Sequence, residues 1–158
     1  MSGAGRPDDV VLDGTGLRIP IVVGRWHAAI AEGLIAGARR ILEAAGVVTE
    51  VIDVPGSFEL PVVSAAVLAS GADAVVALGV IVRGGTPHFE FVSSAATDGL
   101  TRVALDAGKP VGFGVLTLDD EQQGLDRAGL PGSKEDKGAE AARAALETAL
   151  VLRRILND

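Results

Sequence analysis

Ala74-Val75-Val76-Ala77-Leu78-Gly79-Val80-Ile81-Val82 runs without a single polar side chain. A strand with one wet face alternates apolar and polar residues, whereas one covered on both faces reads as a continuous apolar run. The stretch therefore reads as the central strand of a parallel sheet. Downstream, residues 87–107 form a helix with Thr86 as its cap and Pro87 in its first turn, and Gly108 ends it. Residues 111–117 make the next strand, 119–128 a short helix, and 129–132 a turn around Pro131. A last amphipathic helix over 133–156 turns Ala142, Ala145, Leu146, Ala149, Leu152 and Leu156 inward and Glu140, Arg143, Glu147 and Arg154 outward. Upstream, a strand over 17–23 leads to a helix over 27–45, with Ile30, Leu34, Ala38, Ile41 and Leu42 on one face and Gly46 at its end. Residues 47–54 form another strand, broken by Pro55-Gly56, and Ser57 caps a helix to Ser70 that Gly71 stops.

Strict alternation of strand and helix predicts a single three-layer α/β sandwich, with a four-stranded parallel sheet, helices on both faces and right-handed crossovers. Residues 17–158 form one domain, and residues 1–16, rich in Gly and Asp and without periodicity, form an arm. At 158 residues the chain can bury roughly two thirds of its unfolded surface in one core. Hydrophobic residues make up 48% but aromatics only 3%, so Val, Ile, Leu and Ala must build that core. The net charge of -7, with no basic cluster, excludes a nucleic-acid or anionic-membrane surface, and any phosphate must be held locally. Without cysteine there is no disulfide, thiolate metal site or thiol nucleophile, and no metal centre is expected. Residues 1–11 show neither the basic start nor the apolar core of a signal peptide, and no apolar run is long enough to span a bilayer. A soluble cytoplasmic protein is expected.

Open α/β sheets bind ligands beyond the carboxyl ends of their strands, so the segments just after each strand carry the functional reading. They are Gly24-Arg25-Trp26-His27, Pro55-Gly56-Ser57-Phe58-Glu59, Arg83-Gly84-Gly85-Thr86-Pro87-His88 and Thr117-Leu118-Asp119-Asp120. Gly84-Gly85-Thr86 runs straight into a helix, which offers amide groups, a hydroxyl and a positive dipole end to a phosphate. The same residues also suit a plain strand-to-helix turn, and both readings stand at this point. His88 falls in the first helical turn beside Gly84-Gly85-Thr86, where it reads either as an ordinary surface residue or as a proton shuttle. His27 has no such neighbour and reads as structural. Trp26 is either a core residue or, from its loop, a planar face for a heteroaromatic ring. Glu59 near a helix start either serves the dipole or accepts hydrogen bonds from polyol hydroxyls. Arg127 and Lys137, by residue type alone, read as solvated charges. A flavodoxin-like electron carrier would need Ser and Thr in the first loop, and a receiver domain would need acids there and an Asp after the third strand. Gly112-Phe113-Gly114 lies within a strand, so it is no dinucleotide fingerprint.

Taken together, these stretches closely resemble the lumazine synthase family from about Leu17 to the end. The residues that carry the resemblance are Val54-Pro55-Gly56-Ser57-Phe58-Glu59-Leu60-Pro61 and Ala77-Leu78-Gly79-Val80-Ile81-Val82-Arg83-Gly84-Gly85-Thr86-Pro87-His88-Phe89. Further on come Phe113-Gly114-Val115-Leu116-Thr117, Leu125-Asp126-Arg127-Ala128-Gly129 and Asp136-Lys137-Gly138-Ala139-Glu140-Ala141-Ala142. The resemblance implies a flavodoxin-like three-layer sandwich whose N-terminal arm adds a strand to a neighbouring subunit, in homopentamers with active sites shared between adjacent subunits. It implies condensation of 5-amino-6-(D-ribitylamino)uracil with 3,4-dihydroxy-2-butanone 4-phosphate to 6,7-dimethyl-8-ribityllumazine, the penultimate step of riboflavin biosynthesis, without a cofactor.

By the same resemblance, Trp26 stacks on the pyrimidine, Gly56, Ser57 and Phe58 hold it through the backbone, and Glu59 binds the ribityl hydroxyls. Val80, Ile81 and Val82 line the floor. Gly85 and Thr86 take the ketone's phosphate together with Arg127, and His88 moves protons. Phe113, Arg127 and Lys137 reach in from the adjacent subunit. Departures from the commonest family pattern are His27 for a frequent Asn, Gly85 for an often larger residue, and Asp136 for a frequent Asn. None removes a proposed catalytic group. A longer loop over 130–135, with Pro131, points to a free pentamer rather than a sixty-subunit shell. A diverged flavin-binding protein or shell that kept the fold is the rival reading, and the joint presence of His88, Arg127 and Lys137 favours the enzyme.

Overall fold

In the computed structural model, which describes residues 4–8 and 10–157, the continuous apolar run is β3 (Val75–Val82). It pairs in parallel with β1 (Ile21–Gly24) on one side and β4 (Val111–Leu118) on the other, and β1 pairs in parallel with β2 (Val51–Val54), giving the order β2-β1-β3-β4. The helices are α1 (Ala28–Ala44), α2 (Leu60–Ala69), α3 (His88–Ala107), α4 (Glu121–Leu125) and α5 (Lys137–Asn157), with a 3-10 turn (Ser57–Glu59) before α2. Alternate residues of β3 feed two cores. Val76, Leu78 and Val80 pack with Ile30, Leu34, Leu42, Ala142 and Leu146 of α1 and α5, while Val75, Ala77 and Ile81 pack with Leu60, Leu68 and Leu100 of α2 and α3. The predicted three-layer flavodoxin-like sandwich is what the chain forms.

From β1 the chain crosses through α1 to β2, whereas from β3 it crosses through α3 to β4 in the opposite direction. Those helices cover opposite faces, so the crossovers share one hand and the loops after β1 and β3 splay apart. That splay opens a crevice at the carboxyl ends of the two strands. On the other side of the sheet, α1 and α5 approach closely because Gly138 presents no side chain: a Cβ there would run into the Leu34 carbonyl.

Several element limits differ from the sequence reading, each for a local reason. The strands expected over 17–23 and 47–54 narrow where the Thr49 hydroxyl, rather than a backbone amide, donates to the Ile19 carbonyl at 2.8 Å, leaving Arg18 and Val48 as an isolated bridge. Ser57 does not cap a helix: it sits inside the 3-10 turn, and Pro61 sets the start of α2. Thr86 is not the formal cap of α3, although its hydroxyl accepts from the His88 amide at 3.4 Å. The expected helices over 119–128 and 133–156 shorten, because the Lys134 and Glu135 amides donate to the Asp126 carbonyl at 2.8 and 3.0 Å and hold that stretch in a turn. Asp136 then caps α5, its carboxylate accepting from the Ala139 amide at 3.0 Å. Leu156, expected inward, is 77% exposed.

Residues 1–3 of the expected arm, and residue 9, lie outside the described residues. Within the rest, the Gly14 amide donates to the Ala45 carbonyl at 2.7 Å, and Leu12 packs against the α1/α5 core. No helix among the described residues is long and apolar enough to cross a membrane.

Candidate active site

The crevice is an open cleft of about 730 Å³, lined from the loops after β1, β2 and β3 and the first turns of α3. Its floor is the end of β3, where Val80 and Ile81 are buried and Val82 is half-buried. Above the floor, Gly24 closes β1 directly against the Gly56 backbone: a Cβ on Gly24 would stand 3.2 Å from the Gly56 carbonyl carbon. A Cβ on Gly56 would in turn lie 3.3 Å from Trp26 Nε1 and 3.5 Å from Glu59 Oε2. Indole, peptide plane and carboxylate thus meet at one spot. Ser57 is buried beneath them and fits only because residue 79 on β3 is glycine, since a Cβ there would sit 2.5 Å from Ser57 Oγ.

Trp26 is 68% exposed, which rules out the core reading and leaves its ring face available. Phe58 is 65% exposed and Phe91 72%, both on the same cleft. Apolar rings held in water are unfavourable by about 25 cal/mol per Å², so a wall of them marks a surface completed by a ligand or another chain. On the opposite side, Gly84, Thr86 and His88 present an open turn leading into α3. A Cβ on Gly84 or Gly85 would meet nothing within 4 Å, so the backbone there is accessible to an anion.

Three expected site residues lie elsewhere on the chain. Phe113 projects from β4 on the side away from α5, 48% exposed. Arg127 and Lys137 are not plainly solvated charges. They meet in the turn between α4 and α5, where the Lys137 amide donates to the Arg127 carbonyl at 2.9 Å and both side chains face Glu135, at 3.7 Å from Arg127 Nε and 3.5 Å from Lys137 Nζ. Beneath that turn, hydrogen bonds from Gln122 and Lys134 hold the Asp126 carboxyl below its ordinary value. The turn is thus a built feature, but not one that lines the cleft of its own chain.

The family model of 6,7-dimethyl-8-ribityllumazine synthase matches residues 16–153. The chain belongs to this family. Relatives named 6,7-dimethyl-8-ribityllumazine synthase include those of Clavibacter michiganensis subsp. michiganensis, 72% identical over 98% of both chains, and Leifsonia xyli subsp. xyli, 75% identical over 97% of this chain and 98% of the relative. That of Kineococcus radiotolerans is 62% identical over 97% of this chain and 95% of its own. As a 6,7-dimethyl-8-ribityllumazine synthase family member the chain is an enzyme, a transferase.

Of the expected site residues, the cleft gathers Trp26, Gly56, Ser57, Phe58, Glu59, Val80, Ile81, Val82, Thr86 and His88, and Gly85 stands just outside its lining between Gly84 and Thr86. The sequence reading set His27 aside as structural, yet both histidines of the chain line the cleft. His27 caps α1 with φ 56° and ψ 64°, the left-handed region that Asn enters more readily than most residues. Phe91 and Val92 were also missed. Their signal was helical spacing from His88, which places the next turn of α3 above the same opening.

Proposed function

We propose that this chain condenses 5-amino-6-(D-ribitylamino)uracil with 3,4-dihydroxy-2-butanone 4-phosphate to 6,7-dimethyl-8-ribityllumazine, in the cytoplasm and within riboflavin biosynthesis. The observation that carries the reading is the two-ended cleft: ring face, peptide plane and carboxylate at Trp26, Gly56 and Glu59, and an open anion turn at Gly84, Thr86 and His88. The uracil lies on Trp26 with its ribityl chain toward Glu59, and the ketone's phosphate sits at the start of α3. The substrate amine attacks the ketone carbonyl and water leaves, phosphate is eliminated, and ring closure expels a second water. There is no net redox change, and the nucleophile belongs to the substrate, so no cofactor and no enzyme nucleophile take part. Holding two substrates in register supplies most of the rate, and His88 relays protons, a role worth about 10²–10⁴-fold.

The cleft of one chain is completed by its neighbour in a homopentamer, with Phe113, Lys137 and Arg127 reaching across, Arg127 to the phosphate. Exposure of Phe58, Phe91 and Phe113 supports a second chain there. Residues 1–16 act as an arm that adds a strand to a neighbouring sheet, and β2, which among the described residues pairs only with β1, offers an edge. The experiment mixes purified protein with both substrates and follows lumazine absorbance against a protein-free control, with native mass measured alongside. Turnover well above background from a five-chain particle is expected. Background-rate product from folded, assembled protein refutes the catalytic reading, and an active monomer refutes the shared site.

A further inference from the structure

A Cβ on Gly84 or Gly85 would meet nothing within 4 Å, so the turn over 84–86 takes its position from the residues that flank it. Arg83 is the residue in position to do so. Its amide donates to the Leu118 carbonyl at 2.8 Å, completing the β3–β4 ladder, and its side chain then turns back over the loop it precedes. Nε donates to Asp119 Oδ1 at 3.0 Å just past β4, Nη1 donates to Glu90 Oε1 in the first turn of α3, and the guanidinium carbon lies 4.3 Å from the Phe89 ring centroid. Phe89 and Glu90 directly follow His88. The Arg83 side chain therefore closes the stretch 83–90 on itself, with the anion turn strung between its ends.

We propose that Arg83 is the positioning residue of the phosphate end of the cleft, clamping the first turn of α3 to the end of β4 so that Gly84, Thr86 and His88 keep their places. The assignment rests on that turn being the phosphate end. A planar fork that serves two carboxylates while stacking on a ring has one orientation that satisfies all three contacts, which an ammonium cannot match. Hydrogen bonds to Asp119 and then Glu90 raise the Arg83 pKa, and Arg83 in turn holds the Glu90 carboxyl below its ordinary value, so the clamp is charged on both sides at neutral pH. Two carboxylates occupy the guanidinium, which leaves the phosphate to the turn and to Arg127 of the neighbouring chain. Because the Arg83 side chain is 47% exposed, its ion pairs add little to global stability. Its effect is local, on geometry.

The test is steady-state kinetics of assembled wild type, Arg83→Gln, Arg83→Lys and Glu90→Gln, varying each substrate separately and using inorganic phosphate as inhibitor. Misplacing a binding turn by about an ångström costs on the order of a hundredfold, so the Arg83→Gln KM for the ketone phosphate should rise about ten- to a hundredfold. The phosphate inhibition constant should rise in step, while the KM for the uracil moves less than about twofold, because Trp26, Gly56 and Glu59 are carried by other elements. Arg83→Lys should fall between wild type and Arg83→Gln, and Glu90→Gln should shift the same constants by less. Equal shifts in both KM values, unchanged phosphate inhibition, or full activity in Arg83→Lys would overturn the clamp. If Arg83→Gln fails to fold, Glu90→Gln decides, and a wild-type KM there overturns it. Wild type without turnover instead refutes the proposed function, and calorimetry of inorganic phosphate binding to wild type and Arg83→Gln then judges the clamp by itself, unequal affinity supporting it and equal affinity overturning it.

Discussion

Gly79→Ala is the perturbation that most directly joins the core to the site. Gly79 lies in the buried central strand, and its added methyl would stand 2.5 Å from Ser57 Oγ and 3.1 Å from Leu60 Cδ1, against 3.4 Å or more for ordinary contact. Overpacking of a dense interior costs about 1–3 kcal/mol. The loss of unfolded-state freedom on replacing Gly gives back about 0.4–1 kcal/mol. The clash wins, so the variant should be destabilised by about 1–2 kcal/mol, which for a chain of this length lowers Tm by roughly 2–8 °C. Ser57 must yield, and because it sits in the turn with Gly56 and Glu59, the KM for the uracil substrate should rise while that for the ketone phosphate holds. The assay is a double-mutant cycle with Ser57→Ala, by thermal unfolding at one fixed protein concentration. Removing the hydroxyl should absorb most of the penalty, leaving a coupling of about 1–2 kcal/mol between the positions. Additive effects, with Gly79→Ala equally costly in both backgrounds, would refute the account of why this residue is glycine.

Three further outcomes follow from single residues. His88→Ala should lower kcat by a factor of up to about 10²–10⁴ yet leave turnover above the uncatalysed rate, because positioning remains; an unchanged rate, or none, contradicts the proton-relay role. His27→Asn should raise Tm by about 2–4 °C, since Asn suits the left-handed backbone at 27 and supplies the side-chain cap that α1 lacks. A lower Tm in that variant would show that contact with Glu121, 3.8 Å away, outweighs backbone strain. Asp13, held low by hydrogen bonds from Thr15, and Glu90 and Asp126 all have depressed folded-state pKa values, so each favours the fold above its ordinary value and loses that contribution as pH falls through the folded one. Tm should therefore hold from neutrality to about pH 5 and fall below it, with only a slight change of slope in Glu90→Gln because that carboxylate is exposed; a markedly flatter acid slope in that variant would contradict the small weight of the Arg83 pair.

The division between what was legible and what was not is itself physical. The unbroken apolar run of β3 and the periodicity of α1 and α5 report burial, and burial follows from pattern, so the layer order and the parallel sheet were open to reading. The limits of β1, β2 and the last helix were not, because they depend on the Thr49 hydroxyl taking the Ile19 carbonyl and on the Asp126 carbonyl capturing two amides from a turn, both non-local events. The resemblance carried the expected site residues, most of which the cleft gathers. His27 escaped because nothing in a residue type announces a left-handed backbone.

By itself the sequence determined the fold class, the strand ends on which a site can stand, and the residue types that chemistry there requires. Only the tertiary structure decided that Trp26 is exposed rather than core and that Ser57 rests on Gly79. It also decided that Arg127 and Lys137 meet at Glu135 away from their own chain's cleft, and that Arg83 folds back to bind Asp119 and Glu90. The reason is range: hydrophobic spacing is written locally along a chain, whereas exposure, clash and ion pairing depend on which distant residues the packed sheet and helices bring within a few ångströms.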